Sequence, residues 1–150
     1  QEVASDLPPV LGHYDLLLQV LTNLVGNALK FTEAGGRIAI RTYLLEPKLG
    51  PVRIEISDTG IGIAPEDQQA IFDRFFRVEN RVHTKEGTGL GLSIVRNIID
   101  KHHTQIHLVS EVGVGTTFWF DLAVFQEQAT SMDHSHTLEV LPKKVLSAEL

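Results

Sequence analysis

The chain has 150 residues, of which 43% are hydrophobic and 21% charged, and its formal net charge is −6. This size and composition are typical of one soluble globular domain, and the negative charge argues against a general nucleic-acid or anionic-membrane surface. The sequence contains no cysteine, which excludes disulfides and thiolate metal sites and is compatible with a reducing, cytoplasmic setting. No apolar run has membrane-spanning length, so we expect no direct membrane insertion by this chain.

Helix and strand patterns alternate along the chain. Periodicity predicts helices over 14–31, 65–72 and 90–101, and strands over 1–6, 37–45, 52–58, 104–111 and 116–125. The last two strands flank Gly113-Val-Gly115, which is a hairpin signal. Residues 126–150 mix polar residues with scattered apolar ones, so we expect a domain over 1–125 followed by a flexible tail.

The first predicted helix carries an unusual polar row. Asn23, Asn27 and Lys30 fall within roughly 60° of one another at the helical rotation of about 100° per residue. Helix interiors disfavour Asn, because its side chain competes for the backbone. Amide oxygens suit Mg²⁺ and a lysine suits phosphate, so the row is a candidate ligand site. The alternative is two Asn side chains that bond to the backbone beside a solvated lysine.

The second motif follows the strand predicted over 52–58. Period-2 alternation places Asp58 on the apolar face of this strand, where a carboxylate is costly unless it meets donors. Gly60 and Gly62 lie just beyond and allow the backbone to approach a ligand closely. The combination suits a flat ring that bears an amino group. The alternative is an Asp that caps the next turn, with glycines that satisfy positive φ.

The third motif is the run Gly-Thr-Gly-Leu-Gly-Leu over 87–92, at the start of a predicted helix. Free N–H groups at a helix N-terminus attract phosphate. The run is not a Walker A loop, because no Gly-Lys-Ser/Thr follows it, and Leu92 excludes the dinucleotide fingerprint. The alternative is a flexible linker followed by a helix start.

The order of these motifs, with Ile71-Phe-Asp-Arg-Phe-Phe-Arg77 before the glycine run, closely resembles the ATP-binding catalytic domain of sensor histidine kinases. The resemblance covers about 1–125. It implies an α/β (α+β) two-layer sandwich, a Bergerat-type ATP-binding fold with a mixed β-sheet packed on helices. In this fold ATP lies between helices under a mobile lid.

The resemblance also implies roles for individual residues. At the phosphate end, Asn27 is the Mg²⁺ ligand with Asn23 assisting, while Lys30 and Arg77 contact phosphates. At the base end, Asp58 accepts from the adenine amino group in a pocket shaped by Gly60, Gly62 and Thr116. The Phe-rich motif, Phe72, Phe75 and Phe76, lies beside the lid. The remaining expected nucleotide-binding positions lie in this motif and in the glycine run: Phe72, Phe76, Gly87, Thr88, Gly89, Leu90 and Gly91.

The chain shows no phosphoacceptor segment, because none of its seven histidines precedes an acidic residue on a dimerising helix. The resemblance therefore implies a protein histidine kinase that acts, with ATP and Mg²⁺, on a histidine of a separate dimerisation and phosphotransfer domain. A response regulator would be an indirect partner. We expect a cytoplasmic location, whether or not the parent protein is membrane-anchored.

Two alternatives stay open at this point. One is a nucleotide-sensing regulatory module that binds ATP without transferring it. The other is a serine kinase or an ATPase of the same superfamily. The related ATPases place a Glu where this chain has Asn23, and an amide cannot act as a general base toward water. The Phe-rich motif also favours the kinase branch.

Overall fold

In the computed structural model, the described residues are 2–3, 6–46, 50–76, 88–126 and 139–141. They form two α-helices and seven strands: β1 Glu2–Val3, β2 Val10–Gly12, α1 Tyr14–Phe31, β3 Ile38–Leu44, β4 Val52–Asp58, α2 Gly91–Lys101, β5 His107–Glu111, β6 Gly115–Leu122 and β7 Glu139–Leu141. Among these residues, neither helix is both long and apolar enough to cross a membrane.

Five of the strands form one mixed sheet in the order β1-β3-β4-β6-β5. β1 runs parallel to β3, and the other neighbours are antiparallel. β2 and β7 form a separate antiparallel pair. The hydrophobic core joins the buried side chains of α1 and α2 to those of β4 and β6. The predicted two-layer α+β arrangement, with a mixed sheet against helices, is confirmed.

The core explains why the central elements form where the sequence predicts them. Leu17, Val20 and Leu24 on α1 are buried, at the spacing of one helix face. On β4 every second residue is buried, and Ile54 lies opposite Phe120 of β6. Full burial of one such side chain contributes about 1.5–3 kcal/mol. The same register places Asp58 opposite Thr116 at the end of the sheet.

The segment 65–72 differs from its predicted helix. It makes successive turns that end in a 3₁₀ helix, Ala70–Phe72. Ile71 is its only fully buried residue, so the segment lacks the apolar face that would stabilise a longer helix. Two short strands were not predicted. β2 lies before α1, and β7 falls inside the segment assigned to a flexible tail.

One side chain links the start of α1 to the end of α2. His13 occupies the N-cap position of α1 without a side-chain capping bond, and its backbone N–H donates to Nε2 of His102, at 3.0 Å. Nδ1 of His102 lies 2.8 Å from the carbonyl oxygen of Ile98, so it is the donor there. This bond joins the start of α1 to the end of α2, away from the polar row of α1.

Candidate functional site

Asp58 stands at the end of β4 with two backbone donors around its carboxylate. Oδ1 accepts the N–H of Gly60 at 2.8 Å, so the turn-capping alternative is observed. Burial raises the pKa of the Asp58 carboxyl above its ordinary value, while the backbone N–H groups of Gly60 and Thr116 act in the opposite direction. A carboxylate accepts about four hydrogen bonds, so these two donors leave capacity for a ligand donor.

Gly60 allows the loop after β4 to lie directly against the end of α1. The N–H of Ile61 donates to the carbonyl oxygen of Phe31 at 3.2 Å. A Cβ on Gly60 would lie 2.6 Å from that same oxygen. The backbone at Gly60 therefore lies close to the end of α1, and its close approach to a ligand stays a prediction.

Gly62 holds the other side of this loop against the β5–β6 hairpin. Its φ is +70°, and a Cβ would overlap the carbonyl oxygen of Glu111. The N–H of Gly113 donates to the carbonyl oxygen of Ile61 at 2.8 Å. Main-chain contacts thus hold the loop over 59–62 between the end of α1 and the β5–β6 hairpin.

The sequence did not predict a hydroxyl network behind Asp58. Ser110 Oγ accepts the N–H of Ile63 at 2.8 Å and lies 2.8 Å from Oγ1 of Thr116. Gln68 Nε2 donates to the carbonyl oxygens of Ile63 and Ser110, at 3.1 and 3.0 Å. One signal was available. β5 alternates in burial, so Ser110 is a polar residue at an inward-facing position beside Leu108.

In the polar row of α1 the structure shows the backbone bond of the alternative interpretation at Asn23, and the ligand site stays a prediction. Nδ2 of Asn23 donates to the carbonyl oxygen of Gln19 at 3.0 Å, which is the backbone bond of the alternative interpretation. Oδ1 of Asn23 faces the first residue of α2, because a Cβ on Gly91 would lie 3.1 Å from it. Asn27, one turn further along α1, is half-buried, and Nζ of Lys30 lies 5.1 Å from the centre of the Phe31 ring.

The Phe-rich motif lies against the glycine run. The N–H of Phe75 donates to the carbonyl oxygen of Gly89 at 3.0 Å. Gly89 has a φ of +69°, and a Cβ there would lie 3.0 Å from the backbone of Phe75 and Phe76. Phe75 itself has a φ of +64° and is 72% exposed. Leu90 is the N-cap residue of α2, and Thr88 before it is exposed.

Phe72, like Phe76, packs against the hydrophobic core, whereas Phe75 is exposed. The ring of Phe72 packs edge-on against Phe118 of the core, with centroids 6.3 Å apart, and the guanidinium of Arg96 lies 5.7 Å from its centre. The predicted nucleotide contact at Phe72 stays a prediction. Arg77 and Gly87, and the predicted lid between them, lie outside the described residues.

The described residues thus form two groups. Asp58, Gly60, Gly62 and Thr116 gather at the end of β4 and β6, and Asn23 meets the glycine run at the start of α2. The second group contributes the amide oxygen of Asn23, a hard ligand of the type that Mg²⁺ binds, beside the space that the absence of a Cβ leaves at Gly91. The first group contributes a carboxylate with capacity for a further donor.

Comparison with known proteins identifies the family of this chain. Residues 12–126 match the family described as histidine kinase-, DNA gyrase B-, and HSP90-like ATPase. Drug sensory protein A of Synechocystis sp. is 73% identical over 128 residues, which cover 81% of this chain and 19% of that protein. The chain therefore spans about a fifth of the length of this relative.

Two solved structures are similar in both sequence and fold. The mycobacterial sensor histidine kinase MprB has a TM-score of 0.69 and 31% identity, covering 82% of this chain and 80% of that one. Full-length ShkA in complex with AMPPNP has a TM-score of 0.70 and 35% identity, covering 83% of this chain and 25% of that one. The chain therefore belongs to the histidine kinase-, DNA gyrase B- and HSP90-like ATPase family, as an ATP-binding catalytic domain of the sensor histidine kinase type.

Proposed function

We propose that this domain binds Mg-ATP and transfers the γ-phosphoryl group to a histidine on a separate dimerisation and phosphotransfer domain. One observation carries the proposal. The carboxylate of Asp58 keeps acceptor capacity at the end of β4, and the amide oxygen of Asn23 faces the glycine run at the start of α2. The ShkA structure, solved with AMPPNP, supports nucleotide binding by this fold. A response regulator is the proposed indirect partner of the parent protein, and the domain's proposed location is cytoplasmic.

The base end binds through a fixed acceptor. Asp58 accepts the exocyclic amino group of adenine, and the bonds from Gly60 and Ile61 hold the surrounding loop before the nucleotide arrives. A preformed pocket avoids part of the entropy cost of ordering a loop on binding. A hydrogen bond to a charged group contributes about 1.5–3 kcal/mol.

The phosphate end holds charge in place. Asn27, with Asn23 beside it, would hold Mg²⁺, and Lys30 and Arg77 would contact the phosphates. The bound ion would neutralise charge on the β- and γ-phosphates. The N–H groups at the start of α2 are the proposed backbone donors, in the loop of Gly87, Thr88, Gly89, Leu90 and Gly91.

The nucleophile comes from outside the domain. Asn23 occupies the position from which a carboxylate would activate water, and a side-chain amide cannot take a proton from water. Nδ2 of Asn23 instead donates to the carbonyl oxygen of Gln19. The domain therefore orients ATP and stabilises charge, which is most of what a protein contributes to phosphoryl transfer. The imidazole of the partner domain then attacks the γ-phosphorus.

The test uses radiolabelled ATP with and without a dimeric helical domain that carries an acceptor histidine. The domain alone should bind ATP, leave itself unlabelled and turn ATP over slowly. With the partner domain it should label the partner, and the product should be acid-labile and base-stable. Asn27→Ala should abolish labelling, while Asn97→Ala, an exposed Asn on α2, is the matched control and should label as wild type.

The same assay separates the alternatives. An acid-stable serine or threonine product would assign the domain to the serine-kinase branch. Rapid ATP turnover without a partner would favour the ATPase branch. Tight ATP binding without transfer to any histidine domain, including that of the parent protein, would favour a nucleotide-sensing module.

A further inference from the structure

The hydroxyl of Ser110 lies within hydrogen-bond distance of three polar groups but has only one proton to donate. Ser110 Oγ lies 2.8 Å from the N–H of Ile63, 3.0 Å from the carbonyl oxygen of Gly115 and 2.8 Å from Oγ1 of Thr116. The N–H can only donate and the carbonyl can only accept, so the direction of two of the three contacts is fixed by chemistry.

One proton arrangement satisfies all three contacts. Ser110 donates its proton to Gly115 and accepts from Ile63, and it then accepts the hydroxyl proton of Thr116 with its second lone pair. In the reverse arrangement, Ser110 donates to Thr116. Ser110 Oγ and the carbonyl oxygen of Gly115 then lie 3.0 Å apart with no proton between them. Because Gly115 is buried, water cannot readily compensate for this loss at its carbonyl oxygen.

We propose, on the basis of the proposed function, that Ser110 is a positioning residue that takes the hydroxyl proton of Thr116 and thereby sets the base selectivity of the nucleotide pocket. Thr116 lies directly opposite Asp58 in the sheet. With its proton committed to Ser110, Thr116 presents only lone pairs beside the carboxylate. The pocket then offers acceptors alone to position 6 of a purine, which favours a 6-amino group over a 6-oxo group.

Gln68 holds this arrangement in register. Its Nε2 donates to the carbonyl oxygens of both Ile63 and Ser110, so it ties the loop after β4 to β5 at the position of the serine. The polar contacts of Ser110 are all satisfied only when its proton goes to Gly115. The selectivity is built into the nucleotide-free domain.

The experiment compares ADP with IDP, in which a 6-oxo group replaces the 6-amino group and N1 carries a proton. Wild type should bind ADP more tightly, and Ser110→Ala should reduce the ADP/IDP affinity ratio roughly tenfold, the scale of one hydrogen bond of this kind. Thr116→Val should reduce the ratio to a similar extent. Ser110→Thr, which keeps a hydroxyl, should restore it. Thr117→Val, on the opposite face of the same strand, is the control and should leave the ratio unchanged.

The double variant distinguishes positioning from general support of the fold. If Ser110 acts through Thr116, the ratio in Ser110→Ala with Thr116→Val should equal that of Thr116→Val alone. Additive effects of the two substitutions on the ratio would overturn the inference, and so would an equal loss of affinity for ADP and IDP in Ser110→Ala. In either case wild type would still bind ADP, so the proposed function would stand. An unchanged ratio in Thr116→Val would overturn it even if the serine variant failed to fold. Absence of any ADP binding by wild type would instead overturn the proposed function, and the inference with it.

Discussion

Replacement of Gly62 by alanine should weaken both the fold and nucleotide binding. Gly62 has a φ of +70°, a conformation that costs an L-residue about 1–2 kcal/mol. The added Cβ would also overlap the carbonyl oxygen of Glu111, so the loop and the hairpin must separate. That movement breaks or lengthens the bonds that join Gly113 to Ile61 and Ile63 to Ser110, each contributing about 0.5–1.5 kcal/mol. The expected loss in the free energy of unfolding is about 2–5 kcal/mol.

Two other glycines supply matched controls. Gly26 lies within α1 at a position without positive φ, and a Cβ added there would meet no atom within 4 Å. Gly26→Ala should therefore stabilise the fold by about 0.5–1 kcal/mol. Gly35 has a φ of +88°, and a Cβ on it would likewise meet no atom within 4 Å. Gly35→Ala should therefore lose only the backbone term, about 1–2 kcal/mol.

Urea unfolding gives the free energies, and calorimetry gives the affinity for ADP. Gly62→Ala should bind ADP at least about tenfold more weakly, since a shifted loop costs the pocket about one hydrogen bond. Gly26→Ala and Gly35→Ala should bind as wild type. If Gly62→Ala loses no more stability than Gly35→Ala and keeps its affinity, close backbone approach does not shape the pocket and the reasoning fails.

Two further predictions concern charge. Because burial raises the pKa of Asp58 above that of the unfolded chain, ionisation costs stability at neutral pH. That cost shrinks as pH falls through the native pKa and is gone below the pKa of the unfolded chain. ADP affinity should fall as the acceptor gains a proton. Calorimetry between pH 7 and pH 4 should show a steeper fall for wild type than for Asp58→Asn, in which the ADP phosphate still titrates, and equal profiles would contradict the assignment. Arg53 bonds Asp121 through two nitrogens, at 2.8 and 2.9 Å, so Arg53→Ala should lower the free energy of unfolding in urea by about 1 kcal/mol. Arg41 forms an exposed pair, so Arg41→Ala should lower it by less than about 0.5 kcal/mol. Equal losses in the two variants would refute the distinction.

Local periodicity was sufficient for the elements that bury a continuous face. The bounds of α1 match the predicted helix at both ends, because its apolar residues recur at helical spacing as far as Phe31. The helix contains no proline, and Gly26 does not interrupt the pattern. β4 likewise matches over Val52–Asp58, where alternation is strict. At the hairpin the predicted strands differ by up to three residues, since strand ends depend on the partner's register rather than on local sequence.

Contacts between distant segments were not predictable from one sequence. β2 and β7 pair through three residues each, with well over a hundred residues between them, and neither segment is long enough to show a period. The bond from Ile63 to Ser110 joins a loop to a strand 47 positions away. Such contacts follow from tertiary placement, so the sequence indicated an inward polar residue on β5 at most, and not its partners.

The two ends of the site are specified in different ways, and substitutions should separate them. The base end is fixed by main-chain contacts around Gly60 and Gly62, so a change there acts on folding and on binding together. The phosphate end depends on side chains that project from one already stable helix. Asn costs a helix interior about 0.5 kcal/mol relative to Ala, so Asn27→Ala should preserve or slightly raise stability while it removes metal binding. A loss of nucleotide-dependent function at unchanged stability is therefore the expected signature of the phosphate end, and a joint loss is that of the base end.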